Sequence, residues 1–391
     1  MHNKVFSKLD ALENEYIEFL AGLCKIESPT EDKEAVDRAG GFIIRKAEDF
    51  GFSVTVKEEP KSGNPFVVTM GEDIEAKPLI FSAHVDTVHP KGLFGDDIVR
   101  IEDGIMYGPG VVDCKGGIAA ALYAMAALKA CGYNKRPLKL IVQTDEEVSS
   151  KFSEKRTVDF MYENSRGCAA FLNLEGHKPG YVTVERKGIL RYDVEIIGVA
   201  RHSSECYDGV SAVKEAAYKI IELEKMQQDG GITFNVGKIV GGTTANTVPE
   251  KCRFSLDIRF KNEADKAQAI KRAMDILSKQ YLKNTETRVS LYSERVAMER
   301  SGTVLDVYRR LNKALELASF EPLLENSRAG GSDAADMATR GIPAVDSLGT
   351  AGGYIHSRNE YAYLSSLKNS AKMLAAAALY MEDPDEEANK G

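Results

Sequence analysis

Residues 79–86 read LIFSAHVD, a short run with the apolar density of a strand buried on both faces, ending in His84 and, two positions later, Asp86. Two later runs end the same way. Residues 138–144 (LKLIVQT) lead into Asp145, Glu146 and Glu147, and residues 169–174 (AAFLNL) lead into Glu175. Residues 31–50 and 117–128 carry helical spacing, so strands alternate with helices as in an α/β layer structure. Ligands of open α/β sheets bind beyond the carboxyl ends of the strands, so a histidine and acids at three such ends predict a single site.

Downstream of Gly188 the pattern changes. Residues 189–199 alternate, with Tyr192, Val194 and Ile196 on one face and Arg191, Asp193 and Glu195 on the other, as in a half-buried strand. A helix from about residue 210, strands over 232–240 and 251–260, a helix over 263–279 and a strand near 287–296 complete the order β-α-β-β-α-β of a ferredoxin-like unit. Larger-domain spacing then resumes. The sequence thus predicts a discontinuous α/β domain, residues 1–187 and 300–391, interrupted by a small unit over 188–299. The closing MEDPDEEANKG reads as a frayed acidic tail.

Composition narrows the function classes. A chain of 391 residues, 43% hydrophobic and 28% charged, is globular and too long for one ordinary domain. Its net charge of −8, with no clustered basic patch, argues against nucleic acid or an anionic membrane as partner. The opening MHNKVFSKLDALENEYIEFL mixes acids among its apolar residues, which predicts an amphipathic helix and not a signal peptide. No run is long and apolar enough to span a bilayer. The six cysteines, Cys24, Cys114, Cys131, Cys168, Cys206 and Cys252, are dispersed and form no CxxC pair, so neither a disulfide framework nor a thiolate metal site is indicated. Cytoplasm is the expected compartment.

His84, Asp113, Glu147, Glu175 and His356 together form a mixed imidazole and carboxylate set suited to two zinc or similar divalent ions. Each has a duller explanation alone. A histidine near a strand end is commonly a structural hydrogen-bonder, but Asp86 lies on the same side of an extended chain, where it can orient the His84 ring. Asp113 in VVDCKGGIAAAL can simply cap a helix, yet its two oxygens can also serve two ions. Adjacent acids such as Glu146 and Glu147 usually belong to a solvated loop; hydrolysis explains them better, one carboxylate ligating while its neighbour moves a proton. His356 sits in the glycine-rich loop GTAGGYIHSRNEY, where a turn alone would also need the glycines. Collectively these residues supply three ligands per ion around a shared Asp113.

The stretches SAHVDTV, GPGVVDCKGG, TDEE, NLEG, GGSDAADM and GGYIHSRNE run in order over nearly the whole chain. In that order and spacing the chain resembles the dinuclear zinc metallopeptidases and deacylases that include glutamate carboxypeptidase, acetylornithine deacetylase, succinyl-diaminopimelate desuccinylase and peptidase T. HVDTV and the spacing from GGSDAA to GYIHS resemble most the glutamate carboxypeptidase branch. The resemblance implies a catalytic domain with a central mixed sheet flanked by helices. It implies that His84 and Glu175 hold one zinc, Glu147 and His356 the other, and that Asp113 bridges. It assigns Asp86 to orienting His84 and Glu146 to general acid/base catalysis, and it implies a cis peptide after Asp113.

For the inserted unit the resemblance implies a lid and dimerisation domain. His202 matches a histidine that reaches across a homodimer to polarise the scissile carbonyl, Asn246 a substrate-contacting asparagine, and Arg259 an arginine suited to a substrate carboxylate. Their plain alternatives are a surface histidine, a turn asparagine and an exposed strand arginine. Arg328, just before GGSDAAD, is a further carboxylate candidate. Two stretches depart from the family wording: RHSSECYDGVSAV after His202 and VSSKFSEKRTVDFM after Glu147. The expected activity is zinc-dependent hydrolysis of an amide bond in a small peptide or N-acyl amino acid, carboxypeptidase-like. Deacylase or di- and tripeptide aminopeptidase activity is the alternative on the same core, and cobalt or manganese suits the same ligands. A non-catalytic binding protein would be expected to have lost a ligand or Glu146; none is missing.

Overall fold

The computed structural model describes residues 1–226 and 231–384, so the end of the acidic tail, residues 385–391, lies outside the described residues. The chain divides into two compact units. The first comprises Met1–Val184, Arg300–Ser327 and Ser332–Gly391; the second comprises Glu185–Glu299 with Arg328–Gly331.

A six-stranded mixed sheet centres the first unit, in the order Ser53–Val56, Phe66–Met70, Leu138–Gln143, Leu79–His84, Ala170–Asn173 and Ala344–Val345. Phe66–Met70 alone runs against the others. Leu79–His84 lies between two parallel neighbours, and all six of its residues are buried, which explains its largely apolar reading. Its register sets His84 opposite Gln143 and Ser82 opposite Asn173, so His84, the paired glutamates and Glu175 all leave the sheet at one edge.

The helix Lys115–Ala130 is buried along its length from Lys115 to Leu128, as expected of a helix apolar on every side. It packs against the Leu79–His84 strand and the helix Leu364–Tyr380. Close approach is built in by Gly117, where a Cβ would stand 2.5 Å from the carbonyl oxygen of Leu174, the residue before Glu175. The opening stretch, expected as one amphipathic helix, is two: His2–Ala11 and Glu13–Lys25, broken at Leu12 (φ −94°, ψ 3°). Val5 and Leu9 are buried on the first helix, which packs against Leu364–Tyr380 and Lys115–Ala130, and Tyr16, Leu20 and Leu23 on the second, which packs against Lys115–Ala130. Apolar periodicity alone does not report such a break. The sequence reading also missed a small sheet of Gly352–Gly353, Tyr361–Tyr363, Ile105–Tyr107 and Arg100–Glu102. Its first pair, in register Gly352 to Ala362, holds the two ends of the loop carrying His356.

The second unit is an antiparallel sheet in the order Thr233–Gly241, Lys251–Phe260, Gly188–Ile197, Glu286–Arg295, the ferredoxin-like arrangement. Tyr192, Val194 and Ile196 do face its core, joined by Phe254, Leu256 and Ile258 and covered by the helices Ala212–Glu224 and Glu263–Leu277. Ser211 and Asn262 cap those helices by accepting the amides of Lys214 and Asp265. The loop Arg328–Gly331 belongs to this unit: Lys187 N donates to Arg328 O at 3.0 Å, and the Arg186 guanidinium donates to Gly331 O at 3.2 Å. Among the described residues no helix is long and apolar enough to cross a membrane.

Candidate metal centre

His84 closes its strand with both ring nitrogens engaged. Nδ1 lies 3.0 Å from the carbonyl oxygen of Asp86, and Nε2 lies 3.1 Å from Asp113 Oδ1 and 3.6 Å from Glu175 Oε1. The other oxygen of Asp113, Oδ2, is 3.3 Å from His356 Nε2, which is itself 3.2 Å from Glu147 Oε2. One carboxylate thus faces two imidazoles, and each imidazole has its own glutamate. The peptide between Asp113 and Cys114 is cis. His356 is half exposed and stands at φ +63°, with Tyr354 at +53°, so this loop holds two non-glycine residues in the left-handed region.

Asp86 does more than the sequence reading assigned to it. Its Oδ1 is 3.4 Å from His84 Nδ1 and accepts the amide of Glu146 at 3.2 Å; its Oδ2 accepts the amide of Glu147 at 3.2 Å and the Thr30 hydroxyl at 2.9 Å. A single fully buried carboxylate therefore links the His84 strand end to the turn carrying both glutamates. Thr30, far away in sequence, carried no signal that would have found it. Cys114 was likewise missed: its sulfur accepts the amide of His84 at 3.0 Å, and burial pushes its thiol well up, so it buttresses the His84 backbone as a neutral group.

The electrostatics fit a cation. Burial and then the negative charge of Asp113 push Glu147 up to about 8, and hydrogen bonds to Asp113 and Glu147 push His356 up to about 10. Asp113 is held well below the usual carboxylate range: its burial acts upward but is outweighed by hydrogen bonds from His356 and His84. Three acids converge on two imidazoles, a concentration of negative charge that suits a cation. Donor atoms of His84, Asp113 and Glu147, and of His84, Cys114 and Glu175, fall in two groups whose members lie within 4.8 Å of one another. Nitrogen and carboxylate oxygen in this mixture are the donors of zinc and its neighbours.

Within the second unit, His202 and Asn246 come together: Ser203 N donates to Asn246 O at 2.9 Å, and both side chains are exposed. His202 Nδ1 accepts the amide of Ser204 at 3.3 Å and lies 2.7 Å from the Ser204 hydroxyl, so a neutral ring with Nδ1 as acceptor carries its hydrogen on Nε2. Arg259 is already committed. Asp257 takes its Nε and Nη2 at 2.6 and 3.0 Å, and Ala329 O takes its Nη1 at 2.9 Å. Arg328 ends the strand Leu324–Arg328 and is half-buried.

Residues 80–380 match the family described as Peptidase family M20/M25/M40. The chain belongs to that family. Its members are metal-dependent peptidases and amidohydrolases, and this chain is such a hydrolase. Among relatives, it is 27% identical over 379 residues to carboxypeptidase G2 of Pseudomonas sp. (strain RS-16), covering 94% of this chain and 88% of that protein. It is 31% identical over 216 residues to a succinyl-diaminopimelate desuccinylase of Corynebacterium glutamicum, covering 52% of this chain and 56% of that one. In fold it resembles a tripeptidase from Staphylococcus aureus, with a TM-score of 0.77 at 23% identity over 94% of this chain and 98% of that one. The M20 family fold thus accounts for the mixed sheet and its flanking helices.

Proposed function

We propose that the protein is a zinc-dependent, carboxypeptidase-like hydrolase of small peptides or N-acyl amino acids. The observation that carries this reading is the placement of Asp113 between two imidazoles, each beside a separate glutamate. His84, Asp113 and Glu175 would hold one ion, and His356, Asp113 and Glu147 the other. Such a pair supplies Lewis-acid activation of water and of the scissile carbonyl.

The chain's own groups do the rest. Glu146, fixed through its amide by Asp86, takes the proton of the attacking water and returns it to the leaving amine. His202 donates its Nε2 hydrogen to the carbonyl oxygen as negative charge develops there, acting across a homodimer from the partner's lid. In this reading residues 188–299 form that lid and dimerisation domain, within a catalytic domain of residues 1–187 and 300–391. Asn246, Arg259 and Arg328 contact the substrate; a substrate carboxylate at Arg259 competes with Asp257 for the guanidinium. The carboxypeptidase preference rests on the similarity to carboxypeptidase G2 over most of both chains. Cytoplasm is the compartment that suits six free cysteines.

The test is a zinc-reconstituted hydrolysis screen of N-acyl amino acids, dipeptides and tripeptides with free or blocked ends, beside a measured zinc stoichiometry. Expected are two zinc per chain and activity that requires a free substrate C-terminus. Activity that instead requires a free α-amine makes the protein an aminopeptidase, and a protein with bound zinc and no hydrolysis of any of these overturns the proposal.

A further inference from the structure

Glu360 and His89 form a buried pair that the mechanism does not use. Glu360 is 0% exposed and His89 is 4% exposed. Four donors converge on the two Glu360 oxygens: Val112 N at 3.0 Å and Asp113 N at 3.1 Å on Oε1, Gly110 N at 3.2 Å and His89 Nε2 at 2.7 Å on Oε2. A carboxylate only accepts, so the His89 ring carries its hydrogen on Nε2, and all four contacts are satisfied at once. Phe94 packs edge-on against the His89 ring, 5.1 Å between centroids.

We propose that Glu360 is a positioning residue for Asp113: locked by His89, it fixes the turn over residues 110–113 and so the aim of the carboxylate that faces both imidazoles. The proposal rests on the reading of Asp113 as a shared metal ligand. Two features of the backbone support it. Glu360 N donates to Ser357 O at 3.0 Å, and Gly108 N donates to Glu360 O at 3.2 Å, so one residue closes the turn after His356 and grips the turn before Asp113. The gripped turn has little slack, since Gly110 stands at φ +72° and a Cβ there would meet Thr87 Cγ2 at 2.8 Å. An error in this turn moves Asp113 relative to His84 and His356 together, so its effect reaches both halves of the site. A role confined to folding would instead lower stability and leave the zinc affinity of the folded protein unchanged.

The experiment measures zinc dissociation constants of wild type, Glu360→Gln and His89→Gln by chelator competition, with far-UV circular dichroism and urea unfolding on the same samples. The glutamine amide presents hydrogens to backbone donors, so Glu360→Gln is expected to weaken both zinc sites roughly 10–100-fold, and His89→Gln, which keeps the three amide contacts, about 10-fold. A folded Glu360→Gln with zinc affinity within about twofold of wild type overturns the proposal, whatever its stability. Should Glu360→Gln fail to fold, His89→Gln decides by the same readout. A wild-type protein that takes up no zinc overturns the metal-centre reading itself, an outcome distinct from variants that bind as wild type does.

Discussion

Replacing Asp86 with asparagine isolates the one group that serves both the His84 strand end and the paired glutamates. The native carboxylate offers Oδ1 to Glu146 N and Oδ2 to Glu147 N, each at 3.2 Å, with the Thr30 hydroxyl also on Oδ2 at 2.9 Å. An amide keeps one oxygen. Whichever way it turns, its NH2 confronts a backbone N–H, so one buried amide loses its acceptor while the other contact loses its charge. Leaving a buried donor unsatisfied costs about 1–3 kcal/mol, and a hydrogen bond to a charged group contributes roughly 1.5–3 kcal/mol. The expected loss in metal-free stability is therefore about 2–4 kcal/mol. Zinc affinity should fall roughly 10–100-fold, because the turn that aims Glu147 is no longer tied to the strand that aims His84. Urea unfolding of the metal-free protein and chelator competition for zinc read the two effects separately. Thr30→Ala is the control: it removes one hydroxyl donor and leaves both amide contacts, with an expected cost of about 1 kcal/mol. If Asp86→Asn changes stability by less than about 0.5 kcal/mol and zinc affinity by less than about threefold, the account of Asp86 as the link is wrong.

Glu146→Gln should retain its zinc while turnover falls by roughly 10²–10⁴-fold, as expected for loss of a general base; near-normal turnover removes Glu146 from that role. The Arg156 guanidinium grips Glu59 in a two-pronged pair at 2.6 and 2.8 Å and holds its carboxyl below the ordinary 4.5. Because the folded value is the lower one, the pair stabilises the protein at pH values above the unfolded value and loses this effect as pH falls through the folded one. The stability gap between wild type and Glu59→Gln should thus be full near neutrality and close in acid; a gap that widens in acid contradicts the pairing. Zinc removal should lower hydrogen-exchange protection in the strand Leu79–His84, since all five candidate ligands belong to the first unit, and leave Lys251–Phe260 in the second unit unchanged. Equal loss in both strands would contradict a centre confined to the first unit.

The parts of this protein that sequence conveyed well are those whose physics is local. Strands in the middle of a covered sheet are largely apolar, so residues 79–83 and 138–144 announced themselves, and the residues directly after each lie at the sheet edge. The alternation over 189–199 likewise stated which side of the small sheet is covered, because a half-buried strand repeats every two residues. Thr30, Cys114, Glu360 and His89 act through hydrogen bonds to side chains or backbone amides distant in sequence, and such a bond leaves no periodicity to read. Arg259 shows the converse. Its residue type invited a substrate carboxylate, while its actual partner, Asp257, stands two positions away on the same strand.

Contacts of the second kind also bear on the departure after Glu147. Side-chain packing would make the aim of Glu147 depend on every residue of the adjoining stretch VSSKFSEKRTVDFM, a loop that runs into the helix Arg156–Ser165. The structure relies on carboxylates that accept amides. Asp86 takes the amides of Glu146 and Glu147, and Asp145 takes Ser153 N at 2.9 Å and the Thr157 hydroxyl at 2.7 Å. An amide is present whatever the side chain, so Glu147 is fixed from behind, by Asp86, while the loop ahead of it is tied back by Asp145 through one amide and the Thr157 hydroxyl. The unusual loop, with Ser149, Ser150, Glu154 and Lys155 all at positive φ, can then differ in path without shifting Glu147. Substitutions in the loop at exposed Lys151 should therefore leave zinc affinity alone, whereas loss of Asp86 or Asp145 should not, since the placement of Glu147 depends on those two buried acids and the groups they hold.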